Sequence, residues 1–149
     1  MIDVRLLRTE SDAVRTALAR RGQREILDQL DRAIAFDALS RDIIAKRDAI
    51  RAEVNDLSKA VGQLRRTGDT HGAEELQLRS RALGDHERVL ANEFEIVQGD
   101  LRDVLLRIPN LPHPDAPDGS GEADNPVVKG PVALAAEFPE HRRVPHWET

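Results

Sequence analysis

The sequence predicts a mainly α-helical protein: a long antiparallel two-helix coiled-coil arm with a small N-terminal helical cap and a short extended or β C-terminal tail. Three observations predict this class. Apolar residues recur every seven positions in two long runs, and a short polar segment with two glycines separates the runs. Aromatic residues make up only 3% of the chain and charged residues 33%, a composition typical of long, partly exposed helices.

The first 24 residues are predicted to form the small helical cap. Ser11 or Asp12 can accept hydrogen bonds from the free N–H groups at a helix start, and an apolar stripe follows. Gly22 comes after two arginines, the order expected where a helix ends in a left-handed glycine. Leu6 and Leu7 precede this helix and are expected to pack against the base of the arm.

The first limb of the arm is predicted over about residues 25–66. One apolar track repeats every seven residues, and a second, mixed track runs four residues out of phase with it. The first track comprises Phe36, Ile43, Ile50, Leu57 and Leu64, and the second comprises Arg47, Val54 and Val61. The limb is expected to end at the polar stretch 66–72, which contains Gly68 and Gly72.

The second limb is predicted over about residues 73–108. Its tracks comprise Leu76, Leu83, Leu90, Val97 and Val104, with Phe94, Leu101 and Ile108 as companions. The limb ends at Ile108 because Pro109 disfavours helix in the residue before it. Two such limbs joined by a short turn predict an antiparallel hairpin, and some 30 residues per limb give an arm of about 45–50 Å. Residues 1–108 are thus assigned to one domain.

Residues 109–149 are predicted to form a connector and the start of a further unit. Five prolines and two glycines lie within 109–126, which favours an extended linker without helix. Residues 127–129 and 132–135 are each expected to be a short strand.

Catalytic and metal-binding patterns are absent from the sequence. There is no cysteine, so thiolate metal sites and disulfides are excluded. No serine lies in a nucleophile elbow, and the five histidines show none of the spacings of a zinc site. We therefore predict no catalytic residue, metal ligand or cofactor in the chain. The N-terminus lacks the apolar core of a secretory signal, and no stretch approaches a membrane span, so no membrane association is expected.

The charge distribution indicates one segment suited to contact phosphate. The net charge is −5, yet residues 46–66 carry six basic and three acidic side chains. A solvated helix face with interspersed charges is the alternative interpretation of this pattern.

Several separated motifs resemble those of the bacterial seryl-tRNA synthetases. The N-terminal motifs are Ile2-Asp3-Val4-Arg5-Leu6-Leu7-Arg8, Asp12-Ala13-Val14 and Ala19-Arg20-Arg21-Gly22. The connector motifs are Ile108-Pro109-Asn110-Leu111-Pro112, Pro117-x-Gly119 and Glu122-x-Asp124-Asn125. His146-Trp147-Glu148 resembles the point where the catalytic domain of that family begins. The heptad hairpin lies at the position expected for the tRNA-binding arm of the family.

The resemblance implies a function in serine–tRNA ligation. In that family a class II catalytic domain of a cytoplasmic homodimer uses ATP and Mg²⁺ to attach serine to tRNA(Ser). The arm grips the elbow and the long variable arm of the tRNA. None of the three class II motifs is present, so the chain alone is expected to be inactive. It is also expected to be mostly monomeric, and an excised region is favoured over a free-standing paralogue.

The candidates for phosphate contact are the basic residues of the two limbs. They are Lys46, Arg47, Arg51, Lys59, Arg65 and Arg66 on the first limb, and Arg79 and Arg81 on the second. Arg47 has an alternative interpretation, because it occupies a core-like heptad position and its aliphatic part can pack at the helix seam.

A protein–protein adapter is the second hypothesis. It predicts exposed apolar residues outside the heptad tracks, of which Ile44, Leu78 and Val89 are examples. A complete enzyme is a third hypothesis, which the lack of a catalytic site disfavours.

Overall fold

A computed structural model describes residues 2–119 and 121–127 of the chain. Four α-helices follow one another: α1 Val4–Thr9, α2 Ser11–Ala19, α3 Arg24–Thr67 and α4 Thr70–Arg107. A single 3₁₀ turn lies at Glu122–Asp124, and the described ranges contain no strand. The mainly α-helical class is therefore confirmed. The strands predicted within 127–135 lie outside the described residues, apart from Val127, which is not in a strand.

Helices α3 and α4 form the predicted antiparallel hairpin. They contain 44 and 38 residues, and their apolar heptad tracks face each other. The buried members of the tracks are Ile43, Ile50, Leu57, Val61, Leu90, Val97, Leu101, Val104 and Ile108. The first thirteen residues of α3 lie beside the N-terminal cap. Its remaining 31 residues, from Asp37 to Thr67, extend about 46 Å beyond this base.

The tip of the hairpin is a two-residue turn, shorter than the polar stretch suggested. Gly68 adopts φ +83°, a left-handed conformation that favours glycine, and its N–H donates to the carbonyl of Arg65. Asp69 then begins the next helix, because its carboxylate accepts a 2.9 Å hydrogen bond from the N–H of Gly72. The chain therefore reverses within two residues, Gly68 and Asp69.

The N-terminal cap consists of two helices, where the sequence predicted one. Asp3 begins α1 by accepting a hydrogen bond from the N–H of Arg5. The predicted capping role of Ser11 or Asp12 is wrong. Glu10 occupies the N-cap position, because α1 continues to Thr9 and leaves a single residue between the helices. The left-handed Gly22 is confirmed, with φ +67°.

Two apolar clusters stabilise the part of the chain that the structure describes. The larger lies at the base, where Leu7 and Leu18 of the cap pack with Leu30, Leu101 and Leu105 of the hairpin. The smaller cluster lies in the middle of the arm. The cap thus fixes the base of the hairpin, whereas the distal arm is held only by the seam between two helices. No helix in the described part of the chain combines the length and apolarity needed to cross a membrane.

The connector does not leave the base as a free extended linker. The guanidinium of Arg20 donates to Asp118 Oδ1 at 2.5 Å and to the carbonyls of His113, Pro114 and Ala116. The carbonyl of Arg20 in turn accepts a 3.2 Å hydrogen bond from the N–H of Gly119. The sequence suggested only a basic last turn for Arg20, but in the structure this residue holds the connector on the cap.

Candidate nucleic-acid interface

A polar layer interrupts the apolar seam in the middle of the arm. Arg47 of α3 is mostly buried and donates a 3.0 Å hydrogen bond to Glu87 Oε1 of α4. Its guanidinium also lies 5.8 Å from the ring centroid of Phe94. Arg47 therefore occupies the seam position that the alternative interpretation assigned to it. The sequence contained the signal for its partner, since Glu87 precedes Phe94 by seven residues on the same track.

Arg51 shares the same carboxylate. Its guanidinium donates to Glu87 Oε1 at 2.8 Å, although more than half of the Arg51 side chain is exposed. Hydrogen bonding from Arg47 lowers the pKa of the Glu87 carboxyl; burial opposes this, and the hydrogen bond from Arg51 lowers the pKa further. Glu87 therefore remains ionised and holds two of the candidate cations.

Three further candidates form ion pairs on the surface. Lys46 pairs with Asp42 at 2.7 Å and Lys59 with Asp56 at 2.9 Å, each within one turn of α3. The pairing with Asp42 raises the pKa of Lys46. Arg79 pairs across the helices with Glu53 at 2.5 Å. Such exposed pairs contribute little to stability, so these cations can exchange partners at small cost.

The last three candidates form no ion pair within residues 2–119 and 121–127. They are Arg65, Arg66 and Arg81, all exposed and all in the distal half of the arm. Arg66 donates a 3.1 Å hydrogen bond to the carbonyl of Gly62 on its own helix. The structure thus separates the eight candidates into five with carboxylate partners and three without.

A buried ionic cluster at the base was not foreseen from the sequence. Asp37 is 2% exposed and accepts hydrogen bonds from Arg8 of α1 and Arg41 of α3. Arg8 makes the largest contribution and holds the pKa of the Asp37 carboxyl below its usual range. The signal was the spacing Ile26, Leu30, Ala33, Asp37 and Ser40, a buried stripe that becomes polar at its last two members. This cluster fastens the cap to the arm, and its carboxylate is buried although both arginines are partly exposed.

No group of three or more potential metal ligands occurs among the described residues.

Comparison with known proteins assigns the fold. The model of the seryl-tRNA synthetase N-terminal domain matches residues 1–112. The chain belongs to this family.

Individual relatives agree with the seryl-tRNA synthetase assignment. A serine–tRNA ligase from Exiguobacterium sibiricum is 38% identical over 99% of this chain and 33% of its own length. One from Thermotoga neapolitana is 36% identical over 87% of this chain and 30% of its own length. The crystal structure of seryl-tRNA synthetase from Pyrococcus horikoshii complexed with ATP superposes with a TM-score of 0.76 and 29% identity, over 83% of this chain and 27% of that one.

The resemblance inferred from the sequence motifs is thereby confirmed. The chain spans about a third of the length of these serine–tRNA ligases, and the matched region contains the N-terminal cap and the helical arm.

Proposed function

We propose that the chain is the tRNA(Ser)-binding arm of a serine–tRNA ligase. The observation that carries the proposal is a stiff hairpin, in a member of the seryl-tRNA synthetase N-terminal domain family, that extends about 46 Å beyond its base. Such a rod reaches the elbow and the long variable arm of a tRNA while its base stays with the rest of the enzyme. Residues 1–108 form the binding domain, and 109–149 lead to the catalytic unit.

The chemistry of the arm suits structured RNA. An A-form duplex hides its base edges, so a protein recognises it through shape, backbone phosphates and 2′-hydroxyls. Among the eight candidate cations of α3 and α4, Arg65, Arg66 and Arg81 are exposed and form no ion pair within the described residues, and they supply charge for phosphate contact. Lys and Arg that form weak surface pairs exchange a carboxylate for a phosphate with little net cost.

The ligase reaction itself depends on groups outside the arm. We propose that a class II catalytic unit activates serine with ATP and Mg²⁺ in a cytoplasmic homodimer, and that the arm positions the acceptor tRNA. The described residues supply binding and orientation in this scheme. The isolated chain is expected to be mostly monomeric, because the dimer of this family is held mainly by its catalytic domains.

Direct binding tests the proposal. The chain is titrated with tRNA(Ser) and with a tRNA that lacks the long variable arm, at several salt concentrations. We expect weak binding to tRNA(Ser) that falls steeply as salt rises, and weaker binding to the other tRNA. Equal affinity for the two tRNAs would contradict the proposal.

One observation favours a second candidate function, a protein-binding adapter. Leu78, Val89 and Ile96 of α4 are 64%, 63% and 66% exposed, and Ile44 of α3 is 41% exposed. Charge reversal at Lys59 and Arg65 distinguishes the two functions. It should weaken RNA binding if the arm binds tRNA, and it should leave an apolar partner bound if the arm is an adapter.

A further inference from the structure

The two sides of the helical seam differ in their side chains. On one side a shallow groove runs between α3 and α4, and mostly small or neutral residues line it. Ser58, Gln77 and Arg81 line one part of the groove, and Arg51 and Gly84 line another. We call this side the groove face.

The opposite side carries the ion pair between Arg79 and Glu53 and is called the bridged face. Arg79 of α4 reaches across it to Glu53 of α3 at 2.5 Å. Lys46 of α3 pairs with Asp42, and the negative charge of Glu93 on α4 also raises the pKa of Lys46. Lys46 and Arg79 are therefore each paired with a carboxylate.

Arg65 and Arg81 on the groove face have no ion-pair partner among the described residues, although Glu74 lines a neighbouring hollow with Arg81. Arg51, by contrast, pairs with Glu87 at 2.8 Å and with Asp48 at 3.8 Å. Arg65 follows Ser58 by seven residues and therefore lies on the same line of α3 as Ser58 and Arg51. Arg51 and Arg65 stand about 21 Å apart along this line.

The floor of the groove lets a backbone approach closely. A Cβ added to Gly84 meets no atom within 4 Å, so the surface beside Glu87 and Arg51 is open. Ser58 and Gln77 supply short neutral hydrogen-bonding groups between the cations. An RNA strand is a polyanion with hydroxyl groups, and this combination of spaced arginines, polar floor and open surface complements it.

We infer that the tRNA backbone lies along the groove face, where Arg65 and Arg81 bind phosphates and Arg51 binds one in exchange for Glu87. This inference rests on the proposed function and specifies which side of the arm meets the RNA. The bridged face, with Lys46 and Arg79, stays in solvent.

A charge-matched pair of double variants tests the inference. Arg65→Gln with Arg81→Gln removes two cations from the groove face, and Lys46→Gln with Arg79→Gln removes two from the bridged face. We expect the first variant to weaken tRNA(Ser) binding by on the order of tenfold and to reduce the salt slope by about 2. We expect the second to stay within about twofold of the unchanged chain, because only the long-range charge is altered.

A steric pair tests the same face without changing charge. Gly84→Gln places a side chain on the groove floor, whereas Gly99→Gln places one elsewhere on α4 where a Cβ also meets nothing within 4 Å. Both substitutions raise helix propensity by a similar amount, so thermal melting should shift alike. Only Gly84→Gln should weaken tRNA binding.

The outcomes distinguish a failure of the proposed function from a failure of the groove-face assignment. An unchanged chain that does not bind tRNA(Ser) contradicts the proposed function. A chain that binds, but loses as much affinity through Lys46 and Arg79 as through Arg65 and Arg81, overturns the groove-face assignment alone. Equal effects of the two glycine substitutions on binding overturn it as well.

Discussion

Replacing Asp37 by Asn tests how the N-terminal cap is fastened to the arm. The Asp37 side chain is 3% exposed and accepts hydrogen bonds from Arg8 Nε at 2.9 Å, from a terminal Arg8 nitrogen at 2.5 Å and from Arg41 Nε at 3.1 Å. Asn keeps the volume but loses the negative charge and one acceptor. The variant therefore removes the ionic interaction and leaves the packing nearly unchanged.

The loss of stability expected for Asp37→Asn depends on how exposed its partners Arg8 and Arg41 are. A hydrogen bond to a charged group contributes about 1.5–3 kcal/mol, and two arginines donate here. The Arg8 and Arg41 side chains are 45% and 55% exposed, so water resolvates them once Asp37 is neutral. We expect the free energy of unfolding to fall by about 2 kcal/mol, which is near the lower end of the contribution expected from hydrogen bonds to a charged group. That corresponds to a fall in melting temperature of about 8 °C for a chain of this size.

The lowered pKa of Asp37 predicts how its contribution to stability changes with pH. Because the folded pKa of Asp37 lies below its unfolded value, its contribution is complete above the unfolded pKa of about 3.9. The contribution is lost as pH falls through the folded pKa. The stability difference between the unchanged chain and Asp37→Asn should therefore be constant near neutral pH and shrink below about pH 4.

The assay is urea unfolding followed by far-UV circular dichroism at several pH values. Asp31→Asn is the matched control, since Asp31 also pairs with the cap through Arg15 but the Asp31 side chain is 56% exposed. It should cost less than about 1 kcal/mol. Equal destabilisation by the two variants, or a difference that does not change with pH, would refute the role assigned to Asp37.

Two further substitutions probe interactions that the sequence did not indicate. Glu87→Gln weakens the hold on Arg51, so tRNA(Ser) affinity should rise about threefold and the salt slope should steepen by about 1 in filter-binding titrations. Arg20→Ala removes the contacts that hold the connector, so amide exchange at Gly119 should accelerate about tenfold while the melting of the hairpin stays unchanged.

Each of these has a charge-matched control. Glu93→Gln removes the same charge from the bridged face and should change affinity less than Glu87→Gln does. Arg32→Ala removes an exposed arginine of α3 and should leave exchange in the connector as it was. If a control variant changes affinity or amide exchange as much as its test variant does, the loss of charge in general causes the change and the specific contact does not.

Local pattern was sufficient for much of the fold. The seven-residue spacing of Ile43, Ile50 and Leu57 predicted which face of α3 is buried, and the structure confirms it. Gly22 was predicted from two preceding arginines, because a left-handed glycine after a basic last turn is a short-range signal. The capping prediction at Ser11 failed for a local reason too: a second helix, α1, ends one residue earlier and leaves Glu10 as the N-cap.

The candidate interface was predicted only as a set of cations. The sequence placed Arg51, Lys59 and Arg81 on the arm, but it could not show which of them already hold a carboxylate. Arg51 meets Glu87 from 36 residues away, and the two lie together only because the hairpin closes in one register. Arg20 meets Asp118 across 98 residues, which no local rule anticipates.

By itself, then, the sequence determined the two-helix arm and the place of its turn, because heptad periodicity and turn chemistry act over a few residues. The family was indicated by the resemblance of the motifs on either side of the arm. Only the tertiary structure decided which cations are neutralised, that Asp37 fastens the cap, and that the two faces of the seam differ in charge. The physical reason is distance along the chain. Packing of α3 on α4 brings charges together across the seam, and ion pairing depends on separation in space.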